Sequence, residues 1–226
     1  MARNLNELEQ SLAYDLGQDS VTVGGADFNR YLDHFNRGIR EWASRHNHTC
    51  LRQSATFSVA LNTATYSLTS TFLRPMGSMW LTDANGATTE YPIIKAEEKN
   101  EKDTSANYVW LTGSKKAGFS LNINPTPSAN DVGTNNAQYW YVKEPVVFVN
   151  SGDTCEVQDE DALICYGRMR EYYRDDEDAK AAKAEQEWEF KVGDMIAQDA
   201  SGPEGAIDYQ YAKSYEEKKG WPGIGS

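Results

Sequence analysis

The sequence predicts an α+β protein: a helical bundle of N-terminal helices plus a C-terminal helical hairpin, a central antiparallel β domain and an extended C-terminal arm. Three observations predict this class. Apolar residues recur every three or four positions near both ends of the chain, they alternate with polar residues in the middle, and glycine and proline punctuate the last segment. Helices have a period of 3.6 residues and strands a period of two, so the pattern separates these regions.

Residues 1–53 form the N-terminal helices of the predicted bundle. Leucines at helical spacing predict a first helix that ends near Gly17, and Asp27 is the expected N-cap of a second. The second helix carries a nearly ideal apolar stripe, with steps of four and three residues. The stripe consists of Phe28, Leu32, Phe35, Ile39 and Trp42.

Residues 54–150 form the predicted antiparallel β domain. Phe57, Val59 and Leu61 alternate with small or polar residues, which is typical of a strand. Asn85-Gly86 predicts one hairpin, because both residues tolerate positive φ. The glycine-bounded segment 113–118 predicts a second hairpin, and a last strand is expected over 138–142.

Residues 151–200 are predicted to return to helix as an acidic hairpin. Asp159, Glu160 and Asp161 are expected in the first turn, where the helix dipole favours negative charge. Asp175-Asp176 marks the connection between the two helices. The first helix has a predicted buried stripe of Ala162, Cys165, Tyr166, Met169 and Tyr173, and the second one of Ala181, Ala184, Trp188, Val192 and Met195.

Residues 201–226 are predicted to form an extended arm. Glycine and proline alternate with large aromatic side chains there, and this composition does not build a core of its own. The candidate docking residues of the arm are Tyr209, Tyr211, Tyr215, Trp221 and Ile224.

The charge of the chain excludes a broad class of functions. It has 226 residues, 34 acidic and 22 basic side chains, and a net charge of −12. A protein that grips nucleic acid through a wide basic face is therefore not expected. The start of the chain lacks the apolar core of a signal peptide, and no run is long enough to span a membrane, so we expect synthesis in the cytoplasm and no membrane partner.

The residues offer no complete catalytic or metal-binding motif, so we expect neither enzyme activity nor a cofactor. His46, His48 and Cys50 lie two residues apart, a spacing that does not match structural zinc sites. Gly113 and Gly118 have the spacing of a phosphate loop, but Phe119 follows where lysine is required. Runs of carboxylates such as 175–178 are typical of solvated faces.

Aromatic residues in the β domain suggest one ligand class. Strand alternation places Tyr139 and Tyr141 on one side and Trp140 on the other, and with Trp80 and Trp110 these side chains can form a carbohydrate-binding face. Aromatic side chains in strands more often belong to a sheet core or a protein interface.

The order of these parts over residues 1–200 resembles the head-to-tail adaptor proteins of tailed bacteriophages, also called connector or head-completion proteins. The segments that carry the resemblance are the N-terminal leucine helix, the helix from Asn29 to Trp42, the strands 66–70, 118–125 and 138–141, the Phe72-Leu73-Arg74-Pro75 sequence and the hairpin around 176–181.

The resemblance implies a virion structural protein in the neck, made in the host cytoplasm. Such proteins form a ring of about twelve copies below the portal, bind the portal and the next neck or tail protein, and surround the passing DNA without sequence-specific binding. Two alternatives stay open: another virion part such as a tail-tube or tail-terminator subunit, and a carbohydrate-binding module of a receptor-binding particle.

An acidic face of the hairpin is the candidate lining of the DNA channel, because a negative wall repels phosphate. Its predicted residues are Asp159, Glu160, Glu171, Asp175, Asp176 and Glu177.

Overall fold

The computed structural model describes residues 2–201 and divides the chain into two compact units. Unit 1 comprises Met1–Cys50 and Pro145–Ser226, and unit 2 comprises Leu51–Glu144. Within residues 2–201 there are four α-helices, and a seven-stranded sheet, so the predicted α+β class is confirmed. The predicted arm lies outside the described residues, apart from Ser201, the last residue of the last helix.

Unit 1 contains the four helices. The third helix contacts each of the other three. The helices are α1 (Leu5–Asp15), α2 (Ala26–Arg45), α3 (Asp161–Arg174) and α4 (Asp178–Ser201).

The two N-terminal helices follow the predicted periodicity, with corrections at α2. Helix α1 starts with a capping box in which Asn4 and Glu7 satisfy each other's backbone N–H groups. Helix α2 begins after Gly25, so Asp27 lies in its first turn and is not the N-cap. Leu32 is only half-buried, whereas Tyr31 is fully buried, because the inward face of α2 is shifted from the predicted stripe towards Tyr31 and Gly38.

Helix α3 is buried on several sides because other helices surround it. Leu163 and Ile164 are buried beside the predicted stripe. The prediction that Tyr173 is buried is wrong, since this residue is 44% exposed near the C-terminal end of the helix. Asp159 and Glu160 precede the first helical residue, Asp161.

The stripe predicted for α4 is confirmed in full. All five residues are buried, and Trp188 packs edge-to-face on Tyr166 of α3 with ring centroids 5.1 Å apart. Segment 145–150 belongs to unit 1, where Phe148 packs against Phe35. The Asn36 side chain holds this segment by hydrogen bonds to the N–H (2.8 Å) and carbonyl (2.9 Å) of Phe148.

The connection between α3 and α4 contains one residue in the left-handed backbone conformation. Asp176 has φ of 58°, and the N–H of Glu177 donates to the carbonyl of Tyr172 at 2.9 Å. This bond is characteristic of a Schellman C-cap, in which glycine is the usual residue at the left-handed position.

The variant Asp176→Gly is expected to stabilise unit 1 by about 0.5–1 kcal/mol, because glycine adopts positive φ without strain. Thermal unfolding monitored by circular dichroism measures the change. Asp175→Gly is the matched control, because Asp175 has negative φ, and we expect it to be neutral or destabilising. A lower melting temperature for Asp176→Gly than for the native chain would contradict the account of the turn.

Unit 2 is a curled seven-stranded sheet. Its strands are β1 (Arg52–Val59), β2 (Thr65–Ser67), β3 (Phe72–Thr82), β4 (Thr88–Ile94), β5 (Tyr108–Ser114), β6 (Gly118–Asn124) and β7 (Gly133–Lys143). Their order in the sheet is β1-β7-β3-β4-β5-β6-β2. Both predicted hairpins are present, β3–β4 and β5–β6. The sheet is not wholly antiparallel, because β4 and β5 pair in parallel at Ile93–Val109 and Ile94–Trp110.

The core of unit 2 lies on the inner face of the curled sheet. Tyr139 and Tyr141 of β7 are buried there with Phe72 of β3, and the rings of Phe72 and Tyr141 stack at 5.7 Å. Strand β1 ends at Val59, so Leu61 is not a strand residue and is exposed in the following turn. Strand β7 begins at Gly133, five residues before the predicted start.

Candidate interaction surfaces

Four of the predicted channel residues have cationic partners in unit 1 but lie at opposite ends of α3. Asp159 and Glu160, the latter only 13% exposed, precede its first residue, and Asp175 and Glu177 follow its last. The Oδ2 atom of Asp159 lies 2.7 Å from Lys191 Nζ, and Glu160 accepts hydrogen bonds from the backbone N–H (3.0 Å) and Nε (3.2 Å) of Arg3. Asp175 pairs with Arg174 at 2.8 Å, and Glu177 with Lys180 at 2.9 Å. Asp176, at the left-handed position, is also exposed.

Glu171, within α3, is buried. Its side chain is 1% exposed, and its carboxylate lies 2.8 Å from Arg30 Nε, 2.8 Å from His34 Nε2 and 2.7 Å from Arg174 Nη1. Burial alone raises the pKa of Glu171, but hydrogen bonds from His34 and Arg30 together with the nearby guanidinium charges lower it overall. The inclusion of Glu171 in a surface patch is therefore wrong: it joins α2 to α3 as a buried ion pair.

The net charge of the chain is confined to one unit. Unit 2 contains eight acidic and eight basic side chains, so the entire net charge of −12 belongs to unit 1. Helices α3 and α4 with the residues just before them supply most of the carboxylates. The surface of the helical unit therefore repels anions, and that of the sheet unit does not do so on balance.

The His46-Asn47-His48 segment forms a junction with the end of α4. The His48 ring is buried, stacks on Trp42 at 4.0 Å, and places Nδ1 3.3 Å from Oδ2 of Asp199. Asp199 also accepts the backbone N–H of Thr49 at 3.0 Å. Burial lowers the pKa of His48 to about 4, so this imidazole is neutral at pH 7. Sequence reasoning missed Asp199, which lies 150 residues from Thr49 along the chain.

Cys50, which follows that segment, is exposed, and its Sγ lies 3.6 Å from the carbonyl of Glu156. Among residues 2–201, no group of three or more histidine, cysteine or carboxylate side chains has an arrangement that holds a metal ion.

The aromatic residues of unit 2 are divided between the two faces of the sheet, as the alternation predicts. Tyr139 and Tyr141 point into the core, whereas Trp140 is 46% exposed and Trp80 is 41% exposed on the outer face. Trp110 is half-buried, with Lys99 Nζ 5.4 Å from its ring centroid. The five aromatic side chains therefore do not form a single binding face.

The five predicted docking residues of the arm, from Tyr209 to Ile224, lie outside the described residues. In the part of the chain that the structure covers, no helix has the length and apolar character needed to cross a bilayer.

Comparison with known families defines the class as phage structural adaptor proteins, a class of virion components and not a class of enzymes. The matching family is the SU10 adaptor protein, over residues 3–207, and the chain belongs to this family. A search of curated proteins found no match. The match confirms the part of the sequence prediction that assigns the chain to the phage adaptor proteins, which interact with other phage proteins.

Proposed function

We propose that the protein is a head-to-tail adaptor that forms a ring of about twelve copies below the portal, joins the head to the tail and surrounds the DNA passage. The observation that carries the proposal is the adaptor family match, which covers both units and reaches residue 207. A ring subunit at this place needs contacts to the portal and to the next neck or tail protein, and a surface that lets DNA pass.

The concentration of negative charge in unit 1 supports the last requirement. Phosphate is repelled by a negative wall, so a duplex slides along it without being held. Four carboxylates of the predicted face are paired with cations, which reduces their individual fields. The proposal therefore depends on the excess negative charge of unit 1, to which Asp175, Asp176 and Glu177 contribute at the α3–α4 connection. Asp159 and Glu160 contribute at the opposite, N-terminal end of α3.

A variant with Asp159→Lys, Asp175→Lys and Glu177→Lys is expected to slow DNA ejection while particles still assemble, because lysines attract the passing phosphates. The measurement is the ejection rate from purified particles at low salt, where charge effects are strongest. A control with Glu97→Lys, Glu101→Lys and Asp103→Lys makes the same charge change on exposed residues of unit 2. Equal ejection rates in the two variants would contradict a channel role for unit 1.

The arm is proposed to dock on the portal through its distal residues Tyr215, Trp221 and Ile224. Aromatic side chains bury a large area at a low cost in side-chain entropy, and tryptophan and tyrosine are common hot spots of protein interfaces. Gly220 and Gly223 beside Trp221 allow the backbone to follow a narrow groove. Ordering such a segment costs about 1 kcal/mol per residue, which only burial on a partner offsets.

Truncation after Gly202 is expected to abolish portal binding and leave the body folded, because the helices of unit 1 end at Ser201. Co-sedimentation with purified portal measures binding, and the melting temperature measures folding. Trp221→Ala in the full chain is expected to weaken binding at least tenfold, and Lys218→Ala is its control. Near-native docking of the truncated protein would assign the portal contact to the body.

A further inference from the structure

The two edges of the sheet in unit 2 come from consecutive strands that do not pair. Strands β1 and β2 end the strand order, and a short turn connects them. Near this turn they meet: the rings of Phe57 and Tyr66 lie 4.6 Å apart, and the N–H of Ala60 donates to the Tyr66 hydroxyl at 3.0 Å. Beyond this contact, β1 and β2 form no hydrogen-bonded ladder with each other, and we call the boundary between these two edges the seam.

At the β2 edge of the seam, no hydrogen bond to the backbone groups of Thr65 and Ser67 is found within residues 2–201. The N–H of Ile123 donates to the carbonyl of Ala64 at 2.8 Å, and the N–H of Leu68 to the carbonyl of Phe119 at 2.9 Å. In an antiparallel ladder the bonded residues alternate, so Ala64, Tyr66 and Leu68 face β6. The backbone groups of Thr65 and Ser67 therefore point away from the sheet.

The β1 edge has the same property. Pro75 of β3 lies opposite Tyr141 and has no N–H, so the backbone groups of Tyr141 face Gln53 of β1. Alternation then turns the backbone groups of Ser54 and Thr56 outward. Both residues are exposed, and within residues 2–201 no hydrogen bond to their outward groups is found.

Neither edge is protected by charge or proline against strand addition; β2 is only three residues long and β1 has a register shift between Phe57 and Val59. Natural edge strands carry charges or proline that prevent pairing with another chain. Residues 53–73, which contain almost all of β1 and the whole of β2, include neither a charged residue nor a proline. Such an edge is suited to receive an extended segment.

The arm contains a segment with the pattern of a strand. In Ala206-Ile207-Asp208-Tyr209-Gln210-Tyr211-Ala212, large apolar residues at 207, 209 and 211 alternate with polar ones at 208 and 210. We propose that residues 206–212 of a neighbouring copy add as a strand in the seam between β1 and β2. The inference rests on the proposed ring, because a ring places copies side by side.

The alternation determines how the segment fits. Ile207, Tyr209 and Tyr211 face the inner side, beside Phe57 and Tyr66, and Asp208 and Gln210 face solvent. Tyr209 and Tyr211 thereby bind the neighbouring subunit and not the portal. Residues 213–226 remain for the portal, and 14 residues reach at most about 45–50 Å.

Strand addition of this length gives weak binding between free monomers, because ordering the segment opposes the few hydrogen bonds formed. Docking on the portal holds the copies together, so the effective concentration of each segment at its neighbour rises. The seam contact therefore closes the ring after docking.

The test is a photoreactive residue at position 210 of the full chain, irradiated in purified virions. We expect a covalent dimer whose linked peptide lies within residues 53–67 of another copy. Thr56→Pro is expected to reduce the dimer at least tenfold, because it removes an outward N–H and keeps the pairing with β7. Thr56→Val retains that N–H and is expected to retain the dimer. The melting temperature of each variant reports on folding.

Other products overturn the proposal. A link to the portal assigns Tyr209 and Tyr211 to the portal and leaves the proposed function standing. A link within one chain, a link elsewhere in a second copy, or no protein adduct shows that the seam does not receive the segment from a neighbour. Absence of the protein from virions refutes the proposed function itself.

Discussion

Replacing Glu171 by alanine is expected to lower the free energy of unfolding of unit 1 by about 2–3 kcal/mol, since it removes the hydrogen bonds of a buried carboxylate to charged partners that are themselves partly exposed. The Glu171 carboxylate is 1% exposed and joins Arg30 and His34 of α2 to α3. After the change, His34 loses this partner, and Arg30 keeps its pair with Asp27, 2.7 Å away. The two helices then meet across a cavity lined by polar groups.

Denaturant unfolding monitored by circular dichroism measures the effect, and Glu177→Ala is the matched control. Glu177 pairs with Lys180 at 2.9 Å near the surface, so its loss is expected to cost less than about 1 kcal/mol. Equal effects of the two substitutions would show that the Glu171 pair contributes no more than a surface pair.

The pH dependence of the Glu171 contribution to stability follows from the direction in which its pKa is shifted. Because the pKa of Glu171 is lowered in the folded protein, its stabilising effect is present above the ordinary glutamate pKa of 4.5. The effect is lost as the pH falls through the lower pKa of the folded state.

The sequence predicted the elements whose signals are local. The five-residue stripe of α4 is buried in full, and Asn85-Gly86 closes the β3–β4 hairpin. These patterns need only the spacing of neighbouring residues. The pairing of β4 with β5 in parallel was not predicted, because the chain between them carries no signal for strand direction.

The partners of charged residues could not be predicted from the sequence either, because they lie far apart along the chain. Glu171 lies in an acidic helix like its exposed neighbours, and its partners Arg30 and His34 are 141 and 137 residues away. Only the fold shows that this carboxylate is buried and that Asp175, a few residues further on, is not. The acidic surface was therefore predicted as a property of the region but not residue by residue.

Glu9 provides the second large expected effect, through pH. Its side chain in α1 is 0% exposed, and within residues 2–201 neither carboxylate oxygen has a hydrogen-bond partner. Burial raises the pKa of Glu9 from 4.5 to about 8, so the folded protein holds this carboxyl in its neutral form at pH 7. Its proton is bound in the folded state and lost in the unfolded state between these two values.

Stability is therefore expected to fall by about 1.4 kcal/mol per pH unit between pH 4.5 and 8 through this one group. The full contribution is present below pH 4.5 and is lost as the pH rises through 8. Glu9→Gln keeps the shape of the side chain and removes its ionisation. The free energy of unfolding of the variant is therefore expected to exceed that of the native chain by about 3 kcal/mol at pH 7 and to equal it near pH 4.

The measurement is the difference in unfolding free energy between the native chain and the variant across pH 4 to 9. Asp19→Asn is the matched control, because it removes one carboxylate from an exposed position near the same helix, and its difference is expected to stay within about 0.5 kcal/mol. A difference for Glu9→Gln that does not change with pH would show that the Glu9 carboxylate is ionised in the folded protein. Helix α1 would then need a cation or water beside Glu9, because an unpaired buried charge costs several kcal/mol.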